Sequence, residues 1–168
     1  LTFGSLGGVG RQGLATGDNF RHVRVWWETS EGEPLWKPFA NGGRLSPFYS
    51  DIEQTVGYDD AHQEGIRQTG RYGRGASFYG QPGLTWAVRS SRFAPSALPE
   101  GCIFSTRGLY AFVSDPMMWL AVLNSKPLDV MFKVHLGRFE FPEFLAGVVP
   151  MLPAPTISDE HATQLRVL

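Results

Sequence analysis

Gly83-Leu84-Thr85-Trp86-Ala87-Val88-Arg89, followed by Cys102-Ile103-Phe104-Ser105-Thr106 and Leu109-Tyr110-Ala111-Phe112-Val113, is the stretch that decides the fold class. In its first part Leu84, Trp86 and Val88 alternate with Thr85, Ala87 and Arg89, the period of two of a half-buried strand. The other two parts flank Arg107-Gly108 like the arms of a hairpin. Asp115-Pro116 then opens a helix, a capping acid before the proline tolerated in a first turn, with Trp119, Leu120 and Leu123 at helical spacing. Ser125 and Pro127 start a second helix that holds Leu128, Met131, Phe132 and His135. Three strands followed by two helices, from about Asp115 to Leu136, predict an α+β domain. Its sheet is mostly antiparallel and built of short strands, and the two helices of the C-terminal third pack against it.

Upstream, Val23, Val25 and Trp27 alternate with His22, Arg24 and Trp26, which predicts a strand with one apolar and one cationic face. Asn41-Gly42-Gly43 is a turn signal between Trp36-Lys37-Pro38-Phe39 and Phe48-Tyr49, read as a hairpin or an extended excursion. Residues 1–13 hold five glycines and read as a linker or loop, too flexible for an interior strand or helix. Residues 14–155 form the domain, and 156–168 a tail or the start of a next element. Trp27, Trp86, Phe104, Phe112, Trp119 and Leu123 fall on apolar phases and are expected in the core.

The 168 residues suffice for one domain with a real core, and 42% hydrophobic with 13% aromatic content excludes a disordered or collagen-like chain. Twenty Gly and twelve Pro without a fixed period favour turns over a helical bundle. Fifteen Lys+Arg against sixteen Asp+Glu exclude a polycation, so nucleic-acid binding must come from local patches. The single cysteine, Cys102, lies among apolar neighbours as a buried thiol and fits a reducing, cytoplasmic setting. No apolar run approaches the roughly 20 residues of a membrane span. A start at Leu1 without a signal reads as a segment of something larger.

Gly8-Val9-Gly10-Arg11-Gln12-Gly13 matches the dinucleotide pattern, but no strand precedes it and no helix opens at its last glycine, so a cofactor is not expected here. His22, His62, His135 and His161 are too scattered for zinc. Asp51, Glu53, Asp59, Asp60 and Glu64 read either as a solvated loop or as magnesium ligands of a nuclease, the latter without the Glu-x-Lys that would complete the set.

The basic residues are twelve Arg and three Lys, and an Arg fork reaches phosphate oxygens or guanine O6/N7 with two parallel hydrogen bonds. Arg67, Arg71, Arg74, Arg89 and Arg92, with Tyr72 and Tyr79 among them, suit a polyanion; equally they read as an ordinary loop paired with the acids just upstream. Gln12-Gly13-Leu14-Ala15-Thr16-Gly17-Asp18-Asn19 either brings backbone N–H groups close to a phosphate or is a tight turn.

That loop, with Arg24-Val25-Trp26-Trp27-Glu28, Gly83-Leu84-Thr85-Trp86-Ala87-Val88-Arg89-Ser90-Ser91, Leu98-Pro99-Glu100-Gly101-Cys102-Ile103-Phe104 and Leu123-Asn124-Ser125-Lys126, occurs in the same order in PglX-like adenine-specific DNA methyltransferases. The chain resembles these large enzymes of BREX and DISARM phage-defence systems, related to Type IIG restriction-modification proteins, over residues 10–155. The resemblance implies a target-recognition region downstream of the catalytic domain, with double-stranded DNA and that domain as partners. It implies S-adenosylmethionine for the parent enzyme alone. No Asn-Pro-Pro-Tyr tetrapeptide is present, and Ser46-Pro47-Phe48-Tyr49 is a superficial echo, so no catalytic residue and no metal ligand is assigned. Base extrusion by such a parent calls for a module that grips the duplex. In that module Gly13, Thr16, Gly17, Asp18, Asn19, Arg21 and Arg24 are expected on the phosphate backbone. Arg67, Arg71, Tyr72, Arg74 and Tyr79 are expected to read bases, with Arg89 and Arg92 completing the DNA-binding set. Two other functions stay open, a protein-interaction module of a defence complex and a small metal-dependent nuclease.

Overall fold

The computed structural model describes residues 1–30, 34–73, 75–137 and 142–165. Their strands are β1 (Val9–Arg11), β2 (Val23–Val25), β3 (Trp36–Ala40), β4 (Gln54–Gly57), β5 (Gly83–Ala87), β6 (Ser96–Leu98), β7 (Ile103–Phe104) and β8 (Gly108–Phe112). Their helices are the single turn α1 (Asn19–His22), α2 (Asp60–Thr69), α3 (Pro116–Leu123), α4 (Lys126–Leu136) and α5 (Asp159–Leu165). The fold is mixed α+β and loop-rich, as expected from the sequence.

Two four-stranded sheets replace the single expected one, ordered β1-β8-β5-β6 and β2-β4-β3-β7. All their pairings are antiparallel except β3 with β7. The anticipated hairpin of residues 102–113 is therefore corrected: β7 joins the second sheet and β8 the first. Ser105 makes the split, its Oγ accepting from the N–H groups of Arg107 and Gly108 at 2.9 and 2.8 Å while its own N–H reaches the Ala40 carbonyl. Phe104 of β7 stacks on Tyr110 of β8, ring centroids 4.4 Å apart, and ties the sheets together.

The first sheet packs on α3 and α4 through Leu84, Trp86, Leu109, Trp119, Leu123 and Phe132, with Phe93 and Phe144 filling the layer. Both helices begin where the sequence placed them. Asp115 caps α3 by accepting from the Met118 N–H at 3.2 Å, with Pro116 at the first helical position. Leu14, Phe39, Val56, Ile66 and Ile103 form a smaller core under the second sheet and α2.

Three local readings change. Residues 9–11, read as part of a linker, form an edge strand, because Gly10 lets the backbone lie against Ala146, whose carbonyl would stand 2.0 Å from an added Cβ. The period of two around residue 23 breaks on both sides: Asp18 caps a helical turn that buries His22, and residues 26–28 form a 3-10 turn that leaves Trp27 in solvent rather than in the core. Phe112 is likewise partly exposed at its strand end. The acidic stretch holds the helix α2, capped by Asp59 and buried only through Gly65 and Ile66, so its apolar signal was too thin to see. Residues 41–53 are the extended excursion, linking the antiparallel pair β3 and β4.

Candidate nucleic-acid interface

Two segments far apart in sequence are brought side by side. The backbones of Ala15 and Arg71 exchange both hydrogen bonds, at 2.9 and 2.7 Å, Gly75 N–H donates to the Gln12 carbonyl at 3.1 Å, and Thr69 Oγ1 donates to the Thr16 carbonyl at 3.2 Å. Glycines permit the approach: an added Cβ on Gly70 or Gly73 would stand 2.0 or 2.1 Å from the carbonyls of Ala15 and Gly13. The loop holding Gly13, Thr16, Gly17, Asp18 and Asn19 thus runs beside the C-terminal half of α2 and the Arg71-Tyr72 segment.

Where they meet, a cleft of about 650 Å³ opens, lined by Arg11, Gln12, Gly13, Arg71, Tyr72 and Gly73 together with Thr106 and Leu109. Among the described residues that line it two bear guanidinium groups and none a carboxylate, although the chain carries a formal net charge of -1. Arg11 Nη1 donates to the Gly10 carbonyl at 2.9 Å and its guanidinium lies 5.7 Å from the Phe78 ring, which fixes its direction. Sequence reasoning passed Arg11 over because the glycine motif gives it no role; its place on an edge strand, in a lining that also holds Arg71, is a tertiary fact.

The remaining expected residues divide. Within the loop, the Thr16 hydroxyl is buried and donates to Asn19 Oδ1, while Asp18 accepts from the Arg21 N–H at 3.1 Å, so these side chains hold the loop's own shape. Gly17 sits at φ +74°. Arg21 is exposed, but Arg24 folds back, Nη1 donating to the carbonyls of Phe20 and Val23 at 2.7 and 2.8 Å, over the Trp36 ring. Arg67 is paired with Glu64 at 3.3 Å and lies over the ring of Tyr72. Arg89 Nε donates to Glu143 at 2.7 Å, away from the cleft lining, and Arg92 is half-buried beside it in sequence. Arg74 lies outside the described residues.

Tyr79 turns inward, edge-on to Phe104 at 5.0 Å and to Tyr58 at 6.1 Å, and burial pushes its hydroxyl far above the ordinary value. Tyr72 lines the cleft with a half-buried ring, its hydroxyl raised by the same desolvation. Arg11 and Arg71 thus share the lining of one cleft, whereas Arg24 folds back on carbonyls and Arg67 and Arg89 are paired with acids.

The residues of the glycine motif do not fit a dinucleotide or S-adenosylmethionine: the space beside Gly8, Gly10 and Gly13 is filled by the Phe3 ring and by the carbonyls of Ala146 and Phe104. Among the described residues no group of three or more His, Cys, Asp and Glu gathers to hold a metal ion. Three of these acids have other partners: Asp59 holds His62, Glu64 holds Arg67, and Asp51 accepts from the Tyr49 hydroxyl at 2.8 Å. Among the described residues no helix is long and apolar enough to cross a membrane.

No family model matches the chain. It is similar to the adenine-specific methyltransferase PglX of Lacticaseibacillus casei (strain Zhang), 28% identical over 181 residues, an alignment that covers 92% of this chain and 14% of that protein. The chain thus spans a small part of the relative's length.

Proposed function

We propose that this chain grips double-stranded DNA, as the sequence-specific target-recognition part of an N6-adenine methyltransferase of a restriction or phage-defence system. Two features support the reading: the similarity to a protein described as an adenine-specific methyltransferase, and a cleft lined by Arg11 and Arg71 and, among the described residues, by no carboxylate. The cleft is the observation that carries it. In the cleft the two arginine forks hold phosphate oxygens; contacts of this kind set register and give salt-dependent affinity. Tyr72 and Gln12, which also line the cleft, are then the groups offered to base edges. In this reading Thr16, Asp18, Asn19 and Tyr79 act by holding the loops, and Arg67 acts through its hold on Tyr72. The catalytic domain, S-adenosylmethionine and a cytoplasmic setting belong to the same proposal, as partners and context of the parent.

Fluorescence anisotropy with a labelled mixed-sequence duplex, at low and at moderate salt, tests it. Binding that weakens steeply with salt supports it, and absent or salt-insensitive binding by the chain and by its parent overturns it.

A second reading, a protein-interaction module, is favoured by one observation: Val130, Met131 and Val134 leave an apolar stripe of α4 exposed beside a groove bordered by Pro153 and Ile157. Val130→Asp with Val134→Asp separates the two, since loss of co-purification with duplex binding intact supports the interaction role.

A further inference from the structure

The turn from Ser105 to Gly108, which carries the chain from one sheet to the other, is fixed from three sides. Ser105 Oγ accepts from the N–H groups of Arg107 and Gly108, the Ser105 N–H donates to the Ala40 carbonyl at 3.0 Å, and the Arg107 carbonyl accepts from the Val88 N–H at 2.9 Å. Gly42, at φ +76°, packs on the same residue: an added Cβ would stand 3.0 Å from the Arg107 carbonyl oxygen and 3.4 Å from its Cβ. The backbone of Arg107 is thus committed. Its side chain is not: the residue is exposed, and its guanidinium makes no hydrogen bond, ion pair or cation–π contact among the described residues.

Its place is the rim of the Arg11–Arg71 cleft. Thr106, its neighbour in the chain, Val88, which donates to its carbonyl, and Leu109, two residues on, all line that cleft. Arg107 itself lines neither the cleft nor the hollow of about 440 Å³ that Gly42 and Ala87 border. Arg24, Arg67 and Arg89 lack this freedom, being held by carbonyls or by acids.

We propose that Arg107 reads a guanine of the duplex whose backbone lies in the Arg11–Arg71 cleft. The proposal rests on the duplex-gripping reading. Its chemistry follows from the fork: in the major groove guanine alone offers two adjacent acceptors, O6 and N7, which match the two parallel N–H groups of a guanidinium. A phosphate in the cleft is served by the arginines of the lining, whereas a fork on the rim stands beside that phosphate, on the side of the base edges. The fold supplies the rigidity. Because the turn is already fixed, only the side chain of Arg107 has to be ordered on binding.

The test selects duplexes from a randomised pool with the 168-residue chain and with Arg107→Ala and Arg107→Lys. The wild-type selection is expected to converge on a guanine at one position. In Arg107→Ala that preference falls by about fivefold or more, the scale of one bidentate contact, while the other positions keep theirs; Arg107→Lys, which keeps the charge without the fork, does not restore it. Replacing the selected guanine by 7-deazaguanine, which removes N7, weakens binding by wild type and leaves Arg107→Ala indifferent. A guanine preference that survives Arg107→Ala overturns the proposal. So does an Arg107→Ala chain that binds every sequence more weakly to the same degree with a shallower salt slope, the mark of a phosphate contact. Salt-dependent duplex binding without any guanine preference overturns this proposal alone, and absence of duplex binding overturns the gripping reading and this one with it.

Discussion

Gly17, at φ +74°, lies so close to the end of α2 that an added Cβ would stand 2.2 Å from the Thr69 carbonyl. This contact, with the Ala15–Arg71 bridge beside it, fixes the candidate phosphate loop against the segment that carries Arg71. Gly17→Ala combines left-handed backbone strain with a main-chain clash, for an expected loss of about 2–4 kcal/mol. Denaturant unfolding checks it, with an unchanged midpoint as the contrary result.

His22 is wholly buried, and neither of its ring nitrogens has a hydrogen-bond partner among the described residues. Burial is the main cause holding its proton affinity below the ordinary imidazole value of 6.5, with His62 and Arg21 adding to it and Asp18 opposing. The unfolded chain therefore binds more protons than the folded one below about that pH, so stability present above 6.5 is lost as pH falls towards the depressed folded value. Asp59, whose carboxyl is held below 3.8 chiefly by the His62 N–H, gives way only at more acid pH. His22→Leu is expected to flatten the first limb and to keep or raise stability at neutral pH, since it removes unsatisfied polar atoms. Unfolding midpoints measured across pH decide this; a variant that keeps the wild-type acid limb contradicts it.

Cys102 is 2% exposed, and burial pushes its thiol up to about 11. Because the thiolate is the reacting form, a disulfide reagent at neutral pH should leave the folded chain untouched and titrate one thiol once denaturant is added. Rapid native labelling would show that the segment around β7 opens readily.

The parts of this fold legible in the sequence are those set by neighbours along the chain. Asp115 and Pro116 announce α3, and Leu84 and Trp86 announce β5, because caps and alternation act within a few residues. Whether β8 pairs with β7 or with β5 and β1 is decided by a turn at Ser105 and by contacts with Ala40 and Ala146, none of them local. The same holds for charge. The Arg67–Glu64 pair lies within one helical turn and is legible from spacing, whereas Glu143 reaches Arg89 from far downstream and leaves no local signal. Arg11 lacks significance in the sequence and gains it only because β1 brings it into the lining that also holds Arg71.

The central claim is that Arg11 and Arg71 hold DNA phosphates while acid-paired arginines do not, and the salt dependence of duplex affinity tests it most directly. For wild type, log affinity should fall linearly with log salt, and Arg11→Gln with Arg71→Gln should make the slope shallower by about 2, one for each phosphate contact. Arg67→Gln and Arg89→Gln, already neutralised by Glu64 and Glu143, should change it by less. A slope that the Arg11 and Arg71 substitutions leave as steep as wild type would contradict the account.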